Sequence, residues 1–334
     1  MAGVRAELIR DGESLCALEG EWWALWRRSP ATPFQSPAWL LPWWNTFHPG
    51  ELLSVAVREG SRLVALAPLY IEEGPSGRRL LPIGIALSDY LDVILEASAP
   101  DAGTALVEEL EGASGWDLLS LEDLPPSASA LSLPCSRAWR ERREAQQPCP
   151  VLHLPESVAR LRECIPPERL RKLRTARHRA DRAGGASVER IAAADTLRFL
   201  DHLFRLNGTR WESRGESGVA ADPRVQEFHA AAAPRLLAAG LARFALLILR
   251  ERIVAAYYGL CDRGKAFGYL TGFDPEFAFE SPGALLLGQI IEDAVGEGCR
   301  EFHFLRGRER YKYDWGAVDA WSTQRVFVRN GAHA

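Results

Sequence analysis

The 334-residue sequence predicts a mixed α/β fold made of two similar units. Both halves contain apolar runs of strand length, and both place a helical pattern before the last of these runs. The predicted order in each half is strand, strand, strand, helix, strand. Because a repeated element order indicates a duplicated unit, we predict one unit at 1–160 and a second at 161–334, with the boundary near 150–165.

The first half begins with two predicted helices, 18–28 and 37–47, separated by "SPATPFQSP". Ser36 is placed to cap the second helix, and Pro37 suits its first turn. Two apolar runs around "REGS" then predict a hairpin over 52–74. A strand, a helix and a strand follow at 90–96, 100–113 and 116–124.

The second half predicts a hairpin over 242–261 and a strand over 266–273. A helix over 281–298 follows, with Ser281 as N-cap, Pro282 at its first position and glycines near its end. The run "REFHFLRG" is the strand after this helix. This half therefore contains the same strand–helix–strand sequence as the first.

Composition describes a protein that can bury a full core, with 47% hydrophobic and 25% charged residues. The net charge of −4 gives no general basic field for DNA. The six cysteines follow neither metal-ligand nor disulfide spacing, so we predict reduced thiols, no metal and a cytoplasmic location. The start of the chain lacks a signal-peptide pattern, and no apolar run is long enough for membrane insertion.

A basic segment, "PPERLRKLRTARHRADRAGG", lies between the two halves. Its apolar residues recur at helical spacing, and 168–182 contain seven Arg or Lys against two acidic residues. One interpretation is a solvated arginine face. The other is a docking patch for an anionic partner such as a nucleotide phosphate, CoA or the acceptor stem of a tRNA.

Several motifs together resemble one known family. They are "PFQSPAWLLPWW", "SDYLD", "LRKLRTARHRADRAG", "RWESRG" and "GFDPEFAFESPGALLLGQIIEDAVGEGCREFHFLRGRERYKYDWGA". This set resembles the CelD-like group of GNAT-type acyltransferases, named after a cellulose-biosynthesis accessory protein of bacteria. That group is related to the Fem-type aminoacyltransferases. The resemblance implies a tandem duplicated GNAT-like fold and an N-acyltransferase, with the main acyltransferase motifs in the second unit.

Acyl transfer of this type moves an acyl or aminoacyl group from a thioester or ester donor to a small-molecule or peptide amine. The amine must lose a proton, the developing oxyanion needs donors, and a donor pyrophosphate suits a helix N-terminus. In the predicted central strand, Gly268 or Gly272 permits a bulge. Ser281 and Gly283 begin the helix that would face the pyrophosphate of acyl-CoA.

The usual GNAT glycine signature is not present before this helix, and Pro282 removes one N–H donor. Acyl-CoA, including acetyl-CoA, therefore stays one of three expected donors. An acyl-carrier protein and an aminoacyl-tRNA are the other two, and the basic segment at 168–182 favours the tRNA.

The charged and aromatic stretch after the last strand, "LRGRERYKYDWG", is predicted to form the lip of the active-site cleft. Tyr311 is the expected acid for the leaving group, and Glu309 the expected base or amine anchor. Lys312 and Arg306 are expected to bind phosphate or carboxylate. In the alternative interpretation Arg306 pairs with Glu309, while Tyr311 and Trp315 pack on the seam between the two predicted units.

Other residues are expected to bind substrate. In "SDYLD", Asp89 is a further catalytic carboxylate for an amine acceptor, with Tyr90 beside it. In "RWESRG", Arg210, Trp211 and Arg214 are predicted to form a clamp for an anion. Two aromatic residues of the second unit, Tyr269 and Trp315, are predicted to contact the substrate. A non-enzymatic accessory or binding protein of a polysaccharide or natural-product pathway is the alternative function, and it predicts that Glu309, Tyr311 and Lys312 are dispensable.

Overall fold

The computed structural model describes residues 3–75, 77–212, 218 and 221–331, and at 209–212 it describes the backbone alone. The chain divides into two compact units. The first comprises Met1–Pro148 and Ala320–Ala334, and the second comprises Cys149–Asp319.

The first unit contains four helices, which are α1 (Gly12–Ala17), α2 (Glu19–Arg28), α3 (Pro37–Phe47) and α4 (Ala102–Gly112). Its strands are β1 (Val4–Ile9), β2 (Glu51–Leu52), β3 (Ser54–Glu59), β4 (Arg62–Ala67), β5 (Leu69–Gly74), β6 (Gly77–Pro82), β7 (Ile94–Leu95) and β8 (Leu118–Leu124). Strand β9 (Trp139–His153) runs on into the second unit, and β15 (Val318–Arg329) returns to the first. One sheet has the order β1-β3-β4-β7, and β9-β15-β8-β6-β5-β2 are neighbours in the other.

Tryptophans near the chain start are buried in this unit. Trp22 and Trp39 are fully enclosed, and the Nε1 of Trp22 donates to the carbonyl of Gln35 at 3.0 Å. The ring of Trp43 lies 5.8 Å from that of Tyr70. Burial of this aromatic surface, rather than contact with a membrane, explains the local richness in tryptophan.

The second unit contains α5 (Pro167–Arg182), α6 (Thr196–Glu212), α7 (Pro223–Ala238), α8 (Pro282–Gly296) and the short α9 (Arg310–Asp314). Its own strands are β10 (Ala186–Arg190), β11 (Ala242–Leu249), β12 (Arg252–Asp262), β13 (Lys265–Phe273) and β14 (Glu301–His303). They are ordered β10-β11-β12-β13-β14-β9, where β14 pairs with residues 151–153 of β9.

Each unit contains one parallel strand pair joined through a helix. In the first, β6 and β8 are parallel and α4 lies between them in the chain. In the second, β13 and β14 are parallel and α8 connects them. A parallel pair requires such a crossover, so the predicted mixed α/β fold with a repeated unit is confirmed.

Most predicted elements lie within a few residues of those found, but two differ. The strand predicted at 90–96 is only Ile94–Leu95, and "SDYLD" is largely irregular. The sequence predicts that 320–334 belongs to the second unit, whereas residues 320–331 group with the first, because β15 pairs antiparallel with β8. The boundary falls at residues 148 and 149, just before the range expected for it.

Candidate active site

A cavity of about 410 Å³ opens inside the second unit where β13 and β14 separate. These strands pair only over Lys265–Phe267 and Glu301–His303, so the rest of β13 has no ladder partner on that edge. Ligand sites of open α/β sheets lie at the carboxyl ends of parallel strands, which is where this cavity opens. Its walls come from β12, β13, α8, the segment after β14 and one residue of α5: Arg169, Ala255, Ala256, Tyr257, Gly268, Thr271, Gly272, Phe273, Ala278, Ser281, Pro282, Gly283, Ala284, Leu286, Leu287, Phe302, Phe304 and Tyr311.

The predicted bulge in the central strand is present at Tyr269. The β12–β13 register runs from Tyr258 opposite Leu270 to Gly259 opposite Gly268, so Tyr269 has no partner of its own. A Cβ on Gly268 would lie 3.3 Å from the ring of Phe302. The small residue therefore keeps this part of the wall open beside the phenyl ring.

Gly272 lines the cavity but is required on its other side. A Cβ at this position would lie 2.5 Å from the backbone nitrogen of Asn207 and 2.7 Å from the carbonyl carbon of Leu206. Helix α6 thus approaches β13 as closely as a glycine allows. The side-chain amide of Asn207 donates to the Thr271 carbonyl at 2.8 Å and fixes this contact.

Helix α8 begins at the mouth of the cavity, as predicted. Ser281 is its N-cap, but the residue has a left-handed backbone with φ of 58° and its side chain makes no capping bond. Pro282 has no N–H, and the first N–H groups of any helix lack an acceptor within it. The wall residue Gly283 therefore offers a backbone donor at the positive end of the helix dipole.

Tyr311 is the one member of the predicted catalytic set that lies on the cavity wall. It is half-buried on α9, and its ring centre lies 6.2 Å from that of Phe304. Glu309 is the N-cap of the same short helix and its carboxylate pairs with Lys312 at 2.9 Å. Glu309 itself is exposed and is not part of the wall.

Lys312 has a supporting position rather than an open one. It is 2% exposed, and its Nζ donates to the carbonyls of Leu305 at 3.1 Å, Arg306, and Gly307 at 3.3 Å. These carbonyls and the carboxylate of Glu309 occupy all three N–H donors of the ammonium. The expected phosphate or carboxylate contact of Lys312 is therefore replaced by a contact with its own loop.

Arg306 and Trp315 also lie off the cavity wall. Arg306 is half-buried, and the carboxylate of Glu309 pairs with Lys312. Trp315 is fully buried in the core of this unit. The guanidinium of Arg169 stacks on its ring, 4.1 Å from the ring centre.

Arg169 is the wall residue that sequence reasoning missed. It belongs to the first turn of α5, and its Nε is buried with no hydrogen-bond partner among the residues that the structure describes. Burial lowers the pKa of this guanidinium, and the charge of Asp314 opposes that shift. The available signal was its place at the start of the basic helix, but seven basic residues there gave no reason to select it.

Tyr269 faces away from the cavity. Its ring lies 5.4 Å from Tyr258 and 5.6 Å from His229, between the sheet and α7. His229 is buried, and burial lowers its pKa to about 3. Tyr269 is thus part of an aromatic cluster with Tyr258 and His229, and the substrate contact expected for it stays a prediction.

The "SDYLD" residues lie in the first unit. Tyr90 is buried against Phe34, and its carbonyl accepts from the side-chain amide of Gln35 at 2.7 Å. Asp89 is half-buried. Burial raises the pKa of Asp92 to about 7, although its carboxylate accepts hydrogen bonds from the backbone N–H groups of Ser129 and Ala130.

The side chains of all three residues of the predicted anion clamp lie outside the described part of the chain. Arg210 and Trp211 lie in α6, whose backbone alone is described at those positions. Arg214 lies outside the described residues. The roles expected for them, and for Asp89, stay predictions.

The basic segment forms α5 as predicted. Arg177 pairs with Glu292 at 2.7 Å, and Arg179 donates to the Phe279 carbonyl at 2.8 Å. A further set of its arginines is exposed and makes no ion pair with any described residue: Arg171, Arg174 and Arg182. Both interpretations of this face, solvated or docking, stay open.

His303 closes the paired end of β13 and β14. Its Nε2 lies 3.0 Å from the carboxylate of Glu301, and its ring stacks on Phe267. The hydrogen bond from His303 lowers the pKa of Glu301 to about 2, and burial lowers that of His303. This pair does not line the cavity, so His303 has a structural position.

A second, larger space of about 880 Å³ is a shallow groove along the C-terminal half of α8. Ion pairs cross it, including Arg243 with Glu297 at 2.9 Å. This groove lies away from the carboxyl ends of the parallel strands β13 and β14. In the described part of the chain there is no cluster of three metal-ligating side chains, and no helix there is long and apolar enough to cross a bilayer.

The second unit has detectable similarity to known proteins. Residues 167–313 match the family described as "Acetyltransferase (GNAT) domain". This segment runs from the start of α5 to α9 and includes the whole cavity wall. A comparison with curated proteins finds no match.

Three solved structures share the fold over nearly the whole chain. FemX is 12% identical with a TM-score of 0.67, covering 92% of this chain and 95% of its own. A conserved protein of unknown function from Bacteroides thetaiotaomicron is 10% identical with a TM-score of 0.65, covering 97% of this chain and 100% of its own. L-PGS from Bacillus licheniformis is 13% identical with a TM-score of 0.57, covering 93% of this chain and 92% of its own. The tandem GNAT-like fold is confirmed, while membership of the CelD-like group stays a prediction.

Proposed function

We propose that this protein is an N-acyltransferase whose second unit binds an acyl donor in the cavity between β13 and β14. The observation that carries the proposal is this cavity itself, which lies where a parallel strand pair separates, with the start of α8 and Tyr311 on its wall. The family match over 167–313 supports acyl transfer as the reaction class.

In the proposed reaction the neutral acceptor amine attacks the carbonyl carbon of the donor. A C–N bond forms, the C–S bond of a thioester or the C–O bond of an ester breaks, and the Tyr311 hydroxyl gives its proton to the leaving group. The phenolate then takes the proton that the new amide nitrogen loses, so the net products are an amide and a free thiol or alcohol. Backbone N–H groups on the unpaired edge of β13 suit the oxyanion.

No carboxylate of the described part of the chain lines the cavity wall, which is why this scheme returns the acceptor proton to Tyr311. Glu309 lies two residues from Tyr311 and stays a proposed anchor or base for the acceptor. Asp89, in the first unit, keeps the same proposed role. Among the donors, acyl-CoA and an acyl-carrier protein present thioesters, and an aminoacyl-tRNA presents an ester.

The exposed arginines of α5 support a donor that carries phosphate or carboxylate groups. FemX and L-PGS share the fold but do not decide among these donors, because similarity at 12% and 13% identity concerns the fold alone. The proposed acceptor is a small molecule or a peptide amine.

The test is a thiol-release assay with the purified full-length chain, acyl-CoA donors of several lengths and a panel of primary amines. Amine-dependent release of CoA that falls in Tyr311→Phe and not in Tyr313→Phe supports the proposal. Tyr313 is a matched control on the same helix, because its hydroxyl is bound to Asp319 at 2.7 Å. Equal activity of both variants would remove Tyr311 as the acid, and no turnover with any acyl-CoA or carrier would favour the accessory role.

A further inference from the structure

The cavity wall has a chemical bias that bears on which acyl group the donor carries. Leu286, Leu287, Phe302 and Phe304 give it a hydrocarbon surface, and small residues fill most of the rest. Among the residues that the structure describes, Arg169 is the one charged side chain on the wall, and no described Asp or Glu contributes to it. An aminoacyl group carries an α-ammonium, which would meet a like charge and find no carboxylate there.

The size of the cavity points in the same direction. About 410 Å³ is many times the volume of an acetyl group, since one water molecule occupies about 30 Å³ in the liquid. The thioester arm of the donor enters the same cavity, and an acetyl group at its end leaves the remaining apolar wall atoms without contacts, which costs binding free energy. Hydrocarbon is the substituent that gains from this wall.

We propose that the transferred acyl group is an unbranched hydrocarbon chain of medium length, held as a thioester, rather than an acetyl or an aminoacyl group. This inference rests on the proposed function for the identity of the cavity as the donor site. The chain lies against Leu286, Leu287, Phe302 and Phe304, and the guanidinium of Arg169 excludes a positively charged acyl group. Each methylene buried against such a wall tightens binding by about fourfold.

Binding is measured by calorimetry on the full chain with CoA, acetyl-, butanoyl-, hexanoyl- and octanoyl-CoA. We expect the dissociation constant to fall by about fourfold per methylene over this series until the cavity is full. A dissociation constant that is the same for CoA, acetyl-CoA and octanoyl-CoA would overturn the inference, because the cavity would then hold only the part that all three share.

A charged isostere tests the exclusion of ammonium groups. 6-Aminohexanoyl-CoA and heptanoyl-CoA differ only by an ammonium in place of the terminal methyl. We expect the amino compound to bind at least about 100-fold more weakly, and equal affinity would contradict the inference.

A variant locates the effect in this cavity. Ala284 lines the cavity in the first turn of α8, and Ala284→Phe fills part of it. We expect this variant to lose most of the gain in affinity from acetyl- to octanoyl-CoA while its melting temperature stays close to that of the parent. If octanoyl-CoA keeps its advantage in a folded Ala284→Phe protein, the chain binds elsewhere and the inference fails.

The two proposals can fail separately. Tight binding of octanoyl-CoA without transfer to any amine would leave the acyl site in place and reject the acyltransferase. Faster turnover with acetyl-CoA than with octanoyl-CoA, and no tighter binding of the longer chain, would keep the acyltransferase and reject the hydrocarbon acyl group.

A second, independent inference comes from two cysteines far apart in the chain. The Sγ atoms of Cys261 and Cys299 lie 3.6 Å apart, although the residues are separated by 38 positions. Cys261 is near the end of β12 and half-buried, and Cys299 is buried in the turn between α8 and β14. The thiols already touch, so a small displacement would bring them to bonding distance.

The geometry points to a disulfide site at Cys261 and Cys299 that forms with a low-molecular-weight disulfide such as oxidised glutathione. The Cys261 thiolate attacks one sulfur of the oxidant and releases one glutathione thiolate. The Cys299 thiolate then attacks the Cys261 sulfur of the mixed disulfide and releases the second, so two protein thiols are oxidised and one disulfide is reduced to two thiols. Cys261 acts first because it is the more accessible of the two.

The full chain is incubated with oxidised glutathione without denaturant, its free thiols are counted, and its peptides are mapped by mass spectrometry. We expect the loss of two of the six thiols, a peptide cross-link between Cys261 and Cys299, and a melting temperature higher by about 5 °C. Cys261→Ser should keep Cys299 reduced. Six free thiols after treatment, or a cross-link between other cysteines, would overturn this inference.

Discussion

The buried ammonium of Lys312 donates a hydrogen bond to the carbonyl oxygen of Leu305, 3.1 Å away. Leu305 follows β14 in a left-handed conformation with φ of 60°, and Gly307 has φ of 106°. A left-handed backbone costs free energy at Leu305, and the one at Gly307 is readily adopted because that residue is a glycine. The lysine ammonium binds the carbonyls of this turn and so stabilises it. Because Tyr311 is on the same short helix as Lys312, this contact fixes the position of the proposed acid.

Replacing Lys312 with Met should lower the free energy of unfolding by about 3 kcal/mol, because three buried carbonyls lose a charged donor. Chemical denaturation measures this change, and the thiol-release assay should show a reduced kcat as the turn loosens. Lys172→Met is the matched control, since Lys172 pairs with Glu168 on an exposed face of α5. A cost as small as that of the control, below about 0.5 kcal/mol, would contradict the supporting role.

Tyr311→Phe should lower kcat by about 100-fold or more, because the leaving group loses its proton donor. The KM for the donor should change little, since the ring still covers the same part of the wall. If kcat stays as in the parent, the leaving group takes its proton from another donor.

Gly272→Ala should lower the free energy of unfolding by about 1–3 kcal/mol, because a Cβ would lie 2.5 Å from the nitrogen of Asn207. Gly208→Ala, one residue further along α6, is the control, because nothing lies within 4 Å of its Cβ position. That variant should be stabilised by roughly 0.5–1 kcal/mol through helix propensity. Equal stability of the two variants would show that α6 does not press on β13 as the structure has it.

His229 should make the protein less stable as the pH falls from about 6.5 to 5. Its folded pKa is about 3, so in this window the unfolded state binds a proton that the folded state does not, and stability decreases as pH decreases. His229→Phe should reduce the slope by about 1.4 kcal/mol per pH unit. Thermal denaturation against pH measures this slope.

Glu301 titrates below this window, whereas Asp92, whose pKa is raised to about 7, titrates within it and opposes the effect of His229, so the prediction concerns the difference in slope between the parent and the variant. Glu301, whose pKa is lowered to about 2, stabilises the fold above about pH 4.5 and loses that effect as the pH falls toward 2. An identical slope in the parent and in His229→Phe would show that His229 is protonated in the folded state.

Reversing the charges of Arg171 and Arg174 to Glu should raise the KM for an anionic donor by about tenfold at low salt if α5 is a docking surface. The difference should shrink at high salt, because salt screens exposed charges. Arg140→Glu with Arg143→Glu makes the same charge change on the exposed part of β9. A KM that responds equally to both pairs, or to neither, would favour the solvated-face interpretation.

Local pattern determined much of the architecture and the region of the site. Helix α8 begins at Ser281 and Pro282 as predicted, because caps and prolines act through neighbouring backbone groups. The strand before Arg306 ends in a loop that contributes Tyr311 to the cavity, and this followed from an apolar run that turns charged and aromatic. Signals of this kind depend on residues within a few positions of one another.

The roles of individual side chains depended on contacts between distant segments. Tyr269 and Gly268 are adjacent, yet one packs on His229 and the other borders the cavity, because successive strand residues face opposite sides of a sheet. Arg169 reaches the wall because α5 packs beside Trp315. Lys312 is occupied because the turn after β14 directs its carbonyls inward.

The sequence by itself thus determined the element order, the duplicated α/β units and the segment that carries Tyr311, since periodicity, caps and turns are local. Only the tertiary structure decided that β13 and β14 separate after three residue pairs, that Arg169 borders the resulting cavity, and that Lys312 supports the loop. Those outcomes depend on which atoms meet across long stretches of chain, and packing energy rather than local pattern selects them.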